Sequence, residues 1–145
     1  MPTAREILSE KQAEIVSVSP DATVLDATRV MNKHRIGALM VLEDGNIAGI
    51  FTERDVLQRV IGEERDPSRM RVGEVMTRDV VCAPPETELD ELSEVMRVKR
   101  IRHVPICDED GQLMGLISIG DVNAMHASHQ QATIHYLSEY IYGRV

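Results

Sequence analysis

A pattern of about fifty residues occurs twice in this chain of 145 residues, and that repetition limits the folds open to it more than any other feature. Pro20 through Val56 can be set against Pro85 through Val122. At an offset of 65, Pro20 meets Pro85, Val30-Met31 meets Val95-Met96, and Arg35-Ile36 meets Arg100-Ile101. One extra residue in the second copy moves the offset to 66, after which Gly45 meets Gly111, Gly49 meets Gly115, Thr52 meets Ser118 and Asp55 meets Asp121. The segments that lead into each copy also agree, Arg5-Glu6-Ile7-Leu8-Ser9 with Gly73-Glu74-Val75-Met76-Thr77. A unit of about sixty residues buries too little surface to be secure alone. Two related units can complete each other about a pseudo-twofold axis.

Each copy reads β-α-β-β-α. Short β segments, Ile15 to Val18 and Val80 to Cys82, are stopped by Pro20 and by Pro84-Pro85. Amphipathic helices follow, with apolar residues three and four apart at Val24, Ala27, Val30, Met31 and at Leu89, Leu92, Val95, Met96. Asp21 and Thr87 are the expected caps. Two apolar strands come next in each copy, Ala38 to Leu42 with Ile47 to Phe51, and Val104 to Cys107 with Leu113 to Ile119. Acidic, glycine-containing hairpin turns connect them. A further helix opens near Glu53 and near Ile119, and the second is expected to run on to about Tyr142 with Ile134, Leu137 and Ile141 on one stripe. The expected fold is mixed α/β (α+β): two repeats packed sheet to sheet, with a C-terminal helical extension. Residues 1–66 hold the first repeat and its lead-in helix, 67–128 the second repeat, and 129–145 the extension. The charged stretch Gly62 to Arg69 is the linker.

Composition removes several function classes. The net charge is −8 and aromatic residues are 3% of the chain, which opposes both a duplex-binding surface and a base-stacking platform. No apolar run approaches the ~20 residues of a membrane helix, and the polar start lacks a secretory signal, so the cytoplasm is the expected location. Cys82 and Cys107 lack metal or redox spacing and are expected to be small buried hydrophobes. His126, His129 and His135 have no completing ligands in the sequence, and no metal is expected. Dinucleotide-fingerprint and P-loop signatures are absent, as is any nucleophile with a partner base.

The segment with chemical content is Gly49-Ile50-Phe51-Thr52-Glu53-Arg54-Asp55, matched by Gly115-Leu116-Ile117-Ser118-Ile119-Gly120-Asp121. In each a strand ends, a hydroxyl stands at the strand-to-helix junction, and an Asp follows three residues later. Free amides at a helix start welcome an anion, and the Asp can accept from a vicinal diol. The same spacing is also an ordinary capping box. Its repetition in register favours a ligand role, and the two roles are compatible. Arg35, Arg54, Arg100 and Arg102 are candidate phosphate ligands, or solvated charges at element ends.

With these markers, together with Met76-Thr77 and Arg102-His103-Val104-Pro105, the duplicated unit resembles a tandem pair of cystathionine-β-synthase (CBS) domains, a Bateman module, over residues 5 to about 125. The resemblance implies a regulatory fold that binds AMP, ADP, ATP, NAD(H) or, in some members, S-adenosylmethionine between the repeats. It further implies that Asp55 and Asp121 hold ribose hydroxyls and that Thr52 and Ser118 approach phosphate. Ile36, Ile101 and the Thr77 region would line the adenine slot, while Arg102 and His103 would reach phosphate. The first copy departs from the second: Gly37-Ala38 stands for Arg102-His103, and Ser9 for Thr77. The two clefts are therefore expected to be unequal. The resulting expectation is a stand-alone, non-enzymatic sensor of an adenine nucleotide, a homodimer that passes occupancy to its own assembly or to a regulated protein. The alternatives are a dimerisation scaffold with empty clefts and, third, a metal-independent nucleotide hydrolase.

Overall fold

The computed structural model describes residues 1–12 and 14–142. Helix α1 (Ala4–Lys11) is capped by Thr3, and β1 (Ser17–Val18) precedes α2 (Val24–His34). Strands β2 (Ala38–Glu43) and β3 (Asn46–Thr52) lead into a short α3 (Glu53–Asp55) that continues as a π-helical segment over Val56–Ile61. The second repeat has α4 (Val72–Val75), α5 (Leu89–Lys99), β4 (His103–Cys107), β5 (Leu113–Ser118) and α6 (Ile119–Tyr142). Strand β1 pairs in parallel with β2, which pairs antiparallel with β3, while β4 and β5 form a separate antiparallel pair. In place of a second β1 there is a single parallel bridge, Ala83 to Ile106.

The duplication persists in local detail. The β2–β3 and β4–β5 ladders shift register at Val41/Leu42 and Ile106/Cys107, which are matched positions. Helices α2 and α5 both end on an arginine in the left-handed region, Arg35 and Arg100, each at φ 55°. Those two arginines are thus C-caps and lie outside the cavity described below. The N-caps are Thr23, whose hydroxyl accepts from the Asp26 amide at 3.1 Å, and the matched Glu88. This corrects the expectation of Asp21 and Thr87. The Thr87 carbonyl instead accepts from the Ala4 amide at 2.7 Å.

That last bond belongs to an exchange between the repeats. Thr3 bridges Glu88, and the matched Arg71 bridges Thr23. Ala4 and Ile7 of the first lead-in lie in the core of the second repeat with Leu89, Leu92, Val104, Ile106 and Ile117. Met70, Val72, Val75 and Met76 of the second lead-in lie in the core of the first with Val24, Leu39, Val41 and Phe51. A third apolar cluster joins the sheets: Ala38, Met40 and Ile50 from β2–β3 meet Leu113 and Leu116 from β5. The two repeats therefore pack sheet to sheet about a pseudo-twofold axis. Two matched glycines allow the close approaches. A Cβ on Gly49 would lie 2.7 Å from the Thr77 carbonyl oxygen, and one on Gly115 would lie 2.6 Å from a methyl of Leu8.

Helix α6 runs unbroken to Tyr142, with Ile134, Leu137 and Ile141 exposed. His126 on α6 shares a hydrogen bond with the Ser93 hydroxyl at 3.0 Å, and the His129 side chain lies outside the described residues. Cys107 is buried as expected, whereas Cys82 is exposed, which corrects the expectation for that residue. The cause is visible in the ladder: Ala83, one residue on, makes the bridge to β4 and turns inward.

Candidate functional site

A cavity of about 420 Å³ opens where the strand-to-helix junction of the first repeat faces the start of β4 in the second. That volume falls within the range of small-molecule sites. Its apolar lining comes from Ile50, Leu57, Val80, Val81, Ile101 and Pro105. Its polar lining comes from Thr52, Asp55, Thr77, Gln58 and His103, with Arg54 and Arg102 opposed by Glu53 and Asp79. An apolar slot edged by hydroxyls, the Asp55 carboxylate and two guanidinium groups, with Glu53 and Asp79 beside them, suits a flat heterocycle joined to a diol and an anion.

The Asp55 carboxylate is the most constrained polar group there, being only 4% exposed as a residue. It accepts from the Thr52 amide at 3.0 Å and, through its other oxygen, from the Thr77 hydroxyl at 3.2 Å. Arg59, one turn further along the π-helical segment, lies 3.6 Å away and donates to the carbonyls of Val75 and Met76. Capping is therefore real, and the same carboxylate ties the first repeat to the second lead-in. Thr77 is held in place by a two-way backbone pairing with Ile50, at 2.9 and 2.8 Å. Arg54 crosses the cleft mouth to donate to the Arg100 carbonyl at 3.1 Å.

The second junction has the same reciprocal capping but a different neighbour. The Ser118 amide donates to Asp121 at 2.8 Å, and the Asp121 amide donates to the Ser118 hydroxyl at 3.1 Å. Lys11, from the end of α1, then places its Nζ 2.8 Å from Asp121 Oδ2 and 2.7 Å from the Leu116 carbonyl oxygen. Burial alone would raise the Asp121 carboxyl. The Lys11 hydrogen bond, the Ser118 amide and the Lys11 charge outweigh it and hold the group below the usual range.

His103 is displaced in the other direction. Burial lowers its pKa first, and the charges of Lys11 and Arg102 add to this against the opposing pull of Asp121. Its charged form is thereby disfavoured, which weights its part toward an N–H donor.

Of the residues singled out from the sequence, Thr52, Arg54, Asp55, Thr77, Ile101, Arg102 and His103 line the one cavity. Ser118 and Asp121 stand at the second junction with Lys11. Ile36 packs, half-buried, against the core of the first repeat. Sequence reading passed over Arg59, Asp79, Val80, Val81 and Lys11 as site residues, and named Pro105 only within the Arg102-His103-Val104-Pro105 marker. Arg59 could have been found as the cation four residues after Asp55 on a helix face. Lys11 and Asp79 appear as a charge reversal once the lead-in alignment is carried two residues beyond Ser9 and Thr77. Among the described residues, no group of three His, Cys, Asp or Glu side chains could hold a metal ion, and no helix is long and apolar enough to cross a membrane.

Comparison with known proteins follows the duplication. The CBS domain family model matches residues 4–62 and again 72–124. The CBS domain-containing protein CBSX3, mitochondrial, of Arabidopsis thaliana is 36% identical over 85% of this chain, which spans 62% of that protein's length. The CBS domain-containing protein YhcV of Bacillus subtilis is 33% identical over 82% of this chain and 84% of its own. A CBS-domain containing protein from Agrobacterium tumefaciens superposes with a TM-score of 0.80 at 38% identity, covering 86% of this chain and 98% of its own. A CBS domain protein from Pyrobaculum aerophilum, complexed with AMP, superposes at 0.74 with 23% identity over 82% of this chain and 88% of its own, and that likeness carries the fold alone.

Proposed function

The chain belongs to the CBS-domain family as a tandem pair, a regulatory module, and on that premise we propose that it senses an adenine nucleotide in the cavity beside Asp55. One observation carries the reading. Asp55, Thr52 and Arg54 of the first repeat face Ile101, Arg102 and His103 of the second across one apolar-walled cavity. The adenine would lie between Ile50, Val80, Val81 and Ile101, the ribose diol would compete with the Thr77 hydroxyl for Asp55, and the phosphate would meet Arg102 and His103. The AMP bound by the Pyrobaculum aerophilum protein of the same fold supports this ligand class. AMP, ADP, ATP and NAD share the groups the cavity addresses. S-adenosylmethionine, being cationic, suits the two arginines less well.

Binding elements drawn from both repeats make occupancy a constraint on how the repeats sit together. That gives a non-catalytic protein a way to signal to its own assembly or to a regulated partner. We further propose that it works in the cytoplasm as a homodimer, using exposed apolar side chains such as Leu57, Ile61 and Ile134. The test is thermal unfolding with AMP, ADP, ATP, NAD or S-adenosylmethionine, with GMP as control. A ligand at 100 times its Kd adds about 2.7 kcal/mol, or roughly 5–10 °C in Tm for a chain of this size. No shift with any of them, or an equal shift with GMP, refutes the reading.

A further inference from the structure

The matched junctions differ in who serves the carboxylate. In the first, Thr77 does two jobs: its amide donates to the Ile50 carbonyl at 2.8 Å and its hydroxyl donates to Asp55 at 3.2 Å. The matching residue on the other side is Ser9. Helix α4 stops at Val75, leaving Thr77 extended, whereas α1 continues to Lys11 and keeps Ser9 in its last turns, exposed. Ser9 therefore does not take the place Thr77 takes. Lys11 does both jobs with one ammonium, on the Leu116 carbonyl and on Asp121. Leu116 and Asp121 are the counterparts of Ile50 and Asp55, and Lys11 is the counterpart of Asp79.

We propose that Lys11 is an internal occupant of the Ser118–Asp121 junction, so that each chain takes a single nucleotide, beside Asp55. This rests on the adenine-nucleotide reading above and adds the residue that decides the number of sites. A ribose diol replaces the Thr77 hydroxyl at Asp55 like for like, one neutral donor for another. At Asp121 the diol must instead compete with an ammonium for a carboxylate, in a pair whose side chains are only 28% and 23% exposed. A hydrogen bond to a charged group amounts to about a 10- to 150-fold penalty on binding there. Lys11 also neutralises the carboxylate and satisfies the Leu116 carbonyl, which weakens Asp121 as an acceptor for the diol.

The test is calorimetric titration with AMP of the full-length parent, Lys11→Met, Lys11→Arg, and Lys11→Met combined with Asp121→Ala. The expected stoichiometries per chain are one, two, one and one, with the second site of Lys11→Met at least 10-fold tighter than any second site in the parent. A parent with two sites of equal affinity, or a Lys11→Met protein that still binds one AMP, overturns the proposal. So does loss of a site in Lys11→Met, which would make the lysine a phosphate ligand. A second readout needs no nucleotide. The His103 imidazole faces Lys11, Arg102 and Asp121, and NMR titration should show its pKa rise in Lys11→Met as one of its opposing cations disappears. If the parent binds no AMP, the functional reading fails on its own. An unmoved His103 pKa would then also exclude Lys11 from this junction.

Discussion

Replacing Asp55 with Ala separates a simple helix cap from a structural tie between the repeats. A cap alone contributes about 1 kcal/mol. Asp55 does more: its side chain is 6% exposed, and it holds the Thr52 amide and the Thr77 hydroxyl in one cluster. A hydrogen bond to a charged group contributes about 1.5–3 kcal/mol, and the Thr77 donor loses its carboxylate partner at the same time. The Arg59 pair adds little, because that side chain is half exposed at 3.6 Å. Asp55→Ala should therefore cost about 2–4 kcal/mol, or roughly 4–16 °C in Tm at this chain length. Asp121→Ala should cost less, about 1–2 kcal/mol, since its side chain is 23% exposed and the Lys11 ammonium can turn to water. Urea unfolding followed by far-ultraviolet circular dichroism measures both, and a Thr77→Val double-mutant cycle should couple to Asp55 by roughly 0.5–1.5 kcal/mol. A loss under 1 kcal/mol for Asp55→Ala, or equal losses for the two aspartates, would refute the reasoning.

The two matched glycines should respond unequally to alanine. Gly49→Ala drives a Cβ into the Thr77 backbone and should cost about 1–3 kcal/mol and disturb the cavity, while Gly115→Ala meets only the end of the Leu8 side chain, which can turn where backbone cannot, and should cost clearly less in the same urea assay. The depressed pKa of His103 makes the unfolded chain the better proton binder, so its contribution is whole above about pH 6.5 and lost as pH falls from there toward the folded value. His103→Gln should flatten the Tm-against-pH curve between pH 7 and 5, and a parallel curve would count against the buried, cation-flanked imidazole. Exposed Cys82 should react with a maleimide in the folded protein, whereas Cys107, pushed up to about 12 by burial and by Cys82, should react only on unfolding. Equal labelling of both under native conditions would contradict this. Light scattering should return a dimer mass, and a monomer at all concentrations would remove the proposed apolar interface.

The repeat was legible because its punctuation is local: turn residues, helix periodicity and the matched Arg35 and Arg100 each act within a few positions. The helix starts were misplaced because Ser19, Asp21 and Thr23 are all competent caps, and only packing selects among them. Cys82 was read as buried because a strand of one bridge cannot fix which face points inward until its partner is known. At the site, the residues inside the repeated motif were identifiable. Those that arrive from the lead-ins were not, because an alignment of two copies is the same whether each lead-in packs on its own repeat or on the other. Lys11 meets Asp121 across 110 positions, and nothing local announces that contact.

The crossing of the lead-ins also governs how this chain must fold. One of the two hydrophobic cores closes over contiguous sequence, from Val24 to Met76, but the other cannot: it awaits Ala4 and Ile7 from ahead of the first repeat. Ala4 and Ile7 must find partners between Leu89 and Val122 before that second core is complete, and such high contact order slows folding. In return, melting one half strips the other of core residues. The two cores should then unfold in a single cooperative transition, and a cut in the linker between residues 62 and 69 should leave the two fragments clasped rather than apart.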